Sequence, residues 1–158
     1  WPAIAAARPD AHLVLAGPLE SGLALPQGER VHYLGHLAHA QVADLFRALD
    51  VGIISILDTP FGRYCFPQKA YEMLACGLPV AAADIGQMHD LLAGTPQALF
   101  TAGDAQALAR AVLCQSQAGQ RSHVSGTSRP RYGACCSKPT VILADWRDAE
   151  NDPKQEAA

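Results

Sequence analysis

The sequence predicts an α/β fold, a doubly wound parallel sheet with helices on both faces, in a single domain. Three observations carry that prediction. Short apolar runs without polar alternation recur through the first two thirds of the chain, as strands buried on both faces do. Amphipathic stretches at helical spacing separate them. Glycines stand close behind several runs, at the strand carboxyl ends where open α/β sheets bind ligands.

The elements follow in order. Residues 4–8 read as the end of a helix, and His12-Leu13-Val14-Leu15-Ala16 as a strand stopped by Gly17-Pro18. Val31-His32-Tyr33-Leu34 is a second strand, stopped by Gly35. A helix over about 40–48 puts Val42, Leu45, Phe46 and Leu49 on one face. Val51-Gly52-Ile53-Ile54-Ser55-Ile56 is a third strand, followed by an open loop over 57–66. A helix from Pro67, a strand over 79–83, a short helix over 88–92 and a brief strand at Leu99-Phe100 come next. Asp104 caps a last helix ending near Cys114, with Ala105, Leu108 and Val112 facing inward. Tyr33, Phe46 and Phe61 read as core residues.

Beyond Gln115 the pattern fails. Residues 116–139 are rich in Ser, Gly, Arg and Pro, and 151–158 are polar. A structureless run of that length does not suit a compact domain. The domain is therefore drawn over 1–115, with 116–158 a poorly patterned tail that holds at most a short element over 140–146. The expectation is that the chain shortened to near Gly119 melts within a few degrees of the full chain.

Bulk properties exclude several classes. The 158 residues carry a net charge of −3, so no basic field argues for nucleic acid. No apolar run reaches the ~20 residues of a membrane-spanning helix. Five cysteines form no CxxC pair and no zinc spacing, so no metal is implied. Cys76 reads as a small buried hydrophobe, and the adjacent pair Cys135-Cys136 has a redox or metal feature as its minor reading. A reducing cytoplasm is the expected setting, with at most a peripheral place at the inner face of a membrane. The first residue is Trp1, which reads as a piece of a longer protein.

The most informative stretch runs from Tyr64 to Asp84. Pro67 suits the first turn of a helix, where its missing N–H costs nothing. Gly77 suits the left-handed residue past the helix end, and Pro79 blocks continuation. Ala70, Met73 and Leu74 share an apolar face. Glu72 falls off that stripe, near Lys69. It reads either as a ribose-binding carboxylate or as a surface ion-pair partner of Lys69. His89 and Asp90 read as surface residues, and Asp58 and Arg63 as loop candidates to touch a ligand.

These blocks resemble a family. Val14-Leu15-Ala16-Gly17-Pro18, Val31-His32-Tyr33-Leu34-Gly35 and the run from Pro67 to Val80 look like the C-terminal, donor-binding half of retaining glycosyltransferases with two Rossmann-like domains. The resemblance implies a nucleoside-diphosphate sugar as donor substrate, no further cofactor, and transfer to a hydroxyl acceptor. By resemblance Gly17, Gly35 and His36 border the nucleotide, and Tyr64, Cys65, Phe66 and Lys69 lie beside the sugar and diphosphate. Glu72 corresponds to the second glutamate of the family's E-x7-E motif, expected on the ribose hydroxyls; a carboxylate accepts from two such donors. Two positions depart from the pattern: Tyr64 stands where the first glutamate would fall, and Pro67 replaces the usual glycine. The acceptor-binding half and the first strand of the donor half are expected before this chain, so the piece alone is expected to be inactive. An epimerase or hydrolase on the same scaffold and a non-catalytic binding remnant are the alternative readings.

Overall fold

A computed structural model describes residues 1–19, 24–124 and 140–144. The elements are α1 (Pro2–Ala7), β1 (His12–Leu15), β2 (Val31–Tyr33), α2 (His39–Ala48), β3 (Val51–Ile54), α3 (Pro60–Tyr64), α4 (Gln68–Ala75), β4 (Val80–Ala83), α5 (Gln87–Leu91), β5 (Leu99–Phe100), α6 (Ala105–Val124) and β6 (Thr140–Ala144). One six-stranded sheet has the order β2-β1-β6-β3-β4-β5, and every pairing is parallel.

Alternation along the central strands divides the core into two layers. Ile54, Val80 and Ala82 pack with Phe46, Ala70, Met73 and Leu78, under α2 and α4. Val51, Ile53, Ala81 and Ala83 point the other way, onto Ile4, Ala109 and Val112 of α1 and α6. Both faces of the sheet are therefore covered, as its apolar strands require.

The helix α4 shows how the local sequence sets its own limits. Its C-terminus closes with the Gly77 N–H donating to the Leu74 carbonyl at 2.8 Å and the Leu78 N–H to that of Met73 at 2.9 Å. Gly77 adopts φ +71°, the left-handed cap conformation that glycine adopts without a steric penalty. Below α4, Gly52 admits the helix against the sheet: a Cβ there would stand 2.5 Å from the Met73 sulfur.

Several expectations need correction. The stretch 57–66 is not an open loop, because Pro60–Tyr64 forms α3. Thr59 caps it, its hydroxyl accepting the Gly62 N–H at 3.0 Å, and Pro60 suits the first turn. Pro67 is the residue before α4 rather than within it. Phe46 is buried, but Phe61 is 56% exposed and Tyr33 43%. Both sit at strand carboxyl ends or edges, where no second layer covers them. Cys76 is half-buried rather than fully enclosed. Ala105 faces outward, and α6 continues past Cys114 to Val124.

The largest correction concerns the C-terminal segment. Residues 140–144 form β6 between β1 and β3, in register Leu13↔Val141 on one side and Gly52↔Ile142 on the other. The apolar run Thr-Val-Ile-Leu-Ala suits a strand paired on both edges. Without it, both β1 and β3 would present unpaired backbone in mid-sheet. α6 crosses the boundary drawn near 115, and the place of β6 in the sheet motivates the opposite expectation for the chain shortened to Gly119, that the core needs the sequence beyond it. Cys135, Cys136 and Trp146 lie outside the described residues.

Candidate functional site

All strands run parallel, so their carboxyl ends share one edge of the sheet. Two groups of loops meet there. On one side, the Gly17 N–H donates to the Gly35 carbonyl at 2.9 Å, and the Tyr33 hydroxyl donates to the Gly17 carbonyl at 2.8 Å. The loops after β1 and β2 are thereby fastened together. Gly17 and Gly35 have φ +129° and +66° and open space where a side chain would stand, so a ligand can approach their backbone. His36 beside them is exposed.

On the other side lies a small cleft lined by Ile54, Ser55, Ile56, Cys65, Phe66, Pro67, Lys69 and Ala70. It holds about 10 Å³, near the threshold for a single water. A space of that size is too small to enclose a sugar-sized ligand. Three residues expected at the sugar and diphosphate, Cys65, Phe66 and Lys69, are brought together here; Tyr64 is not, being 89% exposed and outside the lining. Phe66 stacks on Tyr71 with ring centroids 5.2 Å apart and planes 6° from parallel, which gives α4 an exposed aromatic ledge.

Glu72 is half-buried on the second turn of α4. Its recorded partner is Gln68, whose Nε2 donates to Oε1 at 2.9 Å. Gln68 and Glu72 are four apart and so adjacent on the helix surface. One oxygen is braced and the carboxylate keeps acceptor capacity for two hydroxyls.

Two charged pairs lie in the segments after β3 and β4. Arg63 Nε donates to Asp58 Oδ1 at 2.6 Å, and that bond holds the Asp58 carboxyl below its usual range. The two candidates to touch a ligand thus engage each other. Asp84, just past β4, bonds His89 of α5, Nδ1 to Oδ1 at 2.7 Å, and this bond raises the His89 pKa above its ordinary 6.5. The sequence reading placed His89 on the surface, where it is, but missed its partner. The available signal was the Asp-x-Gly turn between them, which folds α5 back over the strand end.

Among the described residues no group of three or more His, Cys, Asp or Glu is arranged to hold a metal, and no helix is long and apolar enough to cross a membrane.

A parallel sheet covered on both faces, with a carboxylate-bearing helix and glycine loops along its carboxyl edge, has the form of a Rossmann-like α/β domain. Comparison with known proteins gives the class: residues 1–116 match the family described as glycosyl transferases group 1, and the chain belongs to that family. Similar curated proteins include D-inositol 3-phosphate glycosyltransferases of Mycobacterium bovis and Mycobacterium tuberculosis, each 31% identical over 166 residues. The alignment takes in 92% of this chain and 33% of each relative, so the chain spans about a third of their length.

Proposed function

We propose that this chain is the donor-binding half of a two-domain retaining glycosyltransferase, holding a nucleoside-diphosphate sugar whose hexose-type sugar passes to a hydroxyl acceptor. Glu72 carries the reading. A carboxylate braced by Gln68, on a helix beside the strand carboxyl ends, suits the paired hydroxyls of a ribose. The Gly17 and Gly35 loops leave backbone open for the nucleotide, and Lys69 at the cleft supplies positive charge beside the diphosphate. The sugar then lies over the cleft near the Phe66–Tyr71 ledge. In this reading the acceptor is bound outside the donor half.

Calorimetry of the full chain against UDP, GDP, ADP and dTDP tests the reading. One nucleotide is expected to bind, and Glu72→Ala to weaken it by about 1.5–3 kcal/mol, tenfold or more. Gln68→Ala serves as control, because a purely structural Glu72–Gln68 pair would make both variants alter stability alone. Unchanged affinity in Glu72→Ala rejects the donor site, and sugar transfer by this chain rejects the division of labour.

A further inference from the structure

Asp84 and His89 form a hydrogen-bonded pair to which the donor reading gives no role. Asp84 stands two residues beyond Ala82, which pairs with Ile54; Ile56 of the cleft stands two residues beyond Ile54. The pair therefore begins one strand spacing from the cleft, on the same edge of the sheet. Its position is firmly set. Gly86 has φ +55°, and a Cβ there would lie 2.5 Å from the Arg63 carbonyl, so the turn after β4 seats directly on α3. With Asp84 accepting from Nδ1–H, His89 turns Nε2 outward, and its side chain is 66% exposed.

The surrounding charge selects among ligands. Asp84 and Asp90 both act on His89, while the Arg63 guanidinium on α3 is tied to Asp58. Two carboxylates beside the imidazole disfavour a diphosphate. They suit a neutral polyol, because each sugar hydroxyl both donates and accepts and so pairs with the outward Nε2 and with the free carboxylate lone pairs.

Resting on the donor-site reading above, we propose that the Asp84–His89 pair binds hydroxyls of the donor's sugar and sets sugar selectivity. His89 and Asp84 thereby supply a polar sugar contact where Tyr64 replaces a glutamate of the family pattern.

The test is calorimetry of the full chain with UDP, GDP, ADP and dTDP, with their glucose conjugates, and with UDP-N-acetylglucosamine. A sugar conjugate is expected to bind about tenfold more tightly than its diphosphate. His89→Ala should abolish that gain and leave the diphosphate affinity unchanged, whereas His89→Gln, which keeps an N–H donor, should retain part of it. Melting curves verify that the variants fold. An unchanged ratio in folded His89→Ala overturns the proposal, as does a wild-type chain that gains nothing from the sugar. Equal loss for diphosphate and conjugate moves the pair to the phosphates and overturns it too. Glu72→Ala separates the two readings: if it weakens both ligands while His89→Ala weakens neither, the donor site stands and the sugar contact falls.

Discussion

The two halves of the sheet are held by different forces. Every residue of β3 and β4 is buried, and α4 and α6 press apolar side chains onto their two faces. No residue of β2 is buried. Leu13, Val14 and Leu15 of the neighbouring β1 are buried, but β2 and its loops are fastened by polar contacts. His12 Nδ1 and His32 Nε2 lie 2.8 Å apart with their rings stacked, and Tyr33 ties down the Gly17 loop. Arg30 donates to the carbonyls of Arg8, Pro9 and Ala11 and lies over the Trp1 ring. Dense apolar packing tolerates little displacement, whereas exposed hydrogen bonds open at small cost. The groups assigned to ribose and sugar sit on the rigid half. The glycine loops assigned to the nucleotide sit on the adjustable one.

Breaking the joint between the halves should have the largest effect. The sheet passes from β1 to β3 only through β6, and β1 and β3 are not paired with each other. Ile142→Pro removes a ladder donor in mid-sheet, and shortening the chain to Gly119 removes the strand. Both are expected to abolish cooperative thermal unfolding followed by circular dichroism. Retention of a sharp transition near the wild-type temperature would show that the halves are stable apart.

A smaller loss is expected within the rigid half. Gly52→Val drives a branched side chain into Met73 and Leu78, both fully buried. Such overpacking costs about 1–3 kcal/mol, read as a lower urea midpoint. Tyr33→Phe probes the adjustable half. It removes one exposed hydrogen bond, so a cost near ~0.5 kcal/mol is expected, together with weaker nucleotide binding if the Gly17 loop borders the base. A stability loss as large as that of Gly52→Val would erase the contrast.

The smallest effect depends on pH. The His89 pKa is raised by its bond to Asp84, so the pair's stabilisation is fully present below about pH 6.5 and fades as pH rises through the elevated value. The melting-temperature difference between wild type and His89→Gln should therefore shrink from pH 6 to pH 9. A difference that grows over that interval would contradict the bond.

Much of this was legible in the residues. The non-alternating runs at Leu13-Val14-Leu15 and Val51-Gly52-Ile53-Ile54 announce strands covered twice, because a strand with one wet face cannot be apolar at every position. Gly77 closes α4 through a left-handed backbone conformation that few other residues adopt. Asp104 caps α6 as read, its Oδ1 accepting the N–H groups of Gln106 and Ala107 at 2.9 Å. These are local effects, acting within a few residues, and sequence spacing encodes them directly.

What the sequence by itself determined is the alternation of strands and helices, their caps, and the placement of Glu72 on a bounded helix. Only the tertiary structure decided the place of Thr140–Ala144, since a five-residue apolar run carries no period and acquires meaning only from the gap between β1 and β3. It also decided that Phe61 faces outward, and that Asp84 meets His89 across the turn at Gly86. The reason is physical: a cap or a turn is satisfied by its own neighbours, but a sheet slot and an exposed ring depend on distant segments, and the turn that joins Asp84 to His89 is seated on α3 at Arg63.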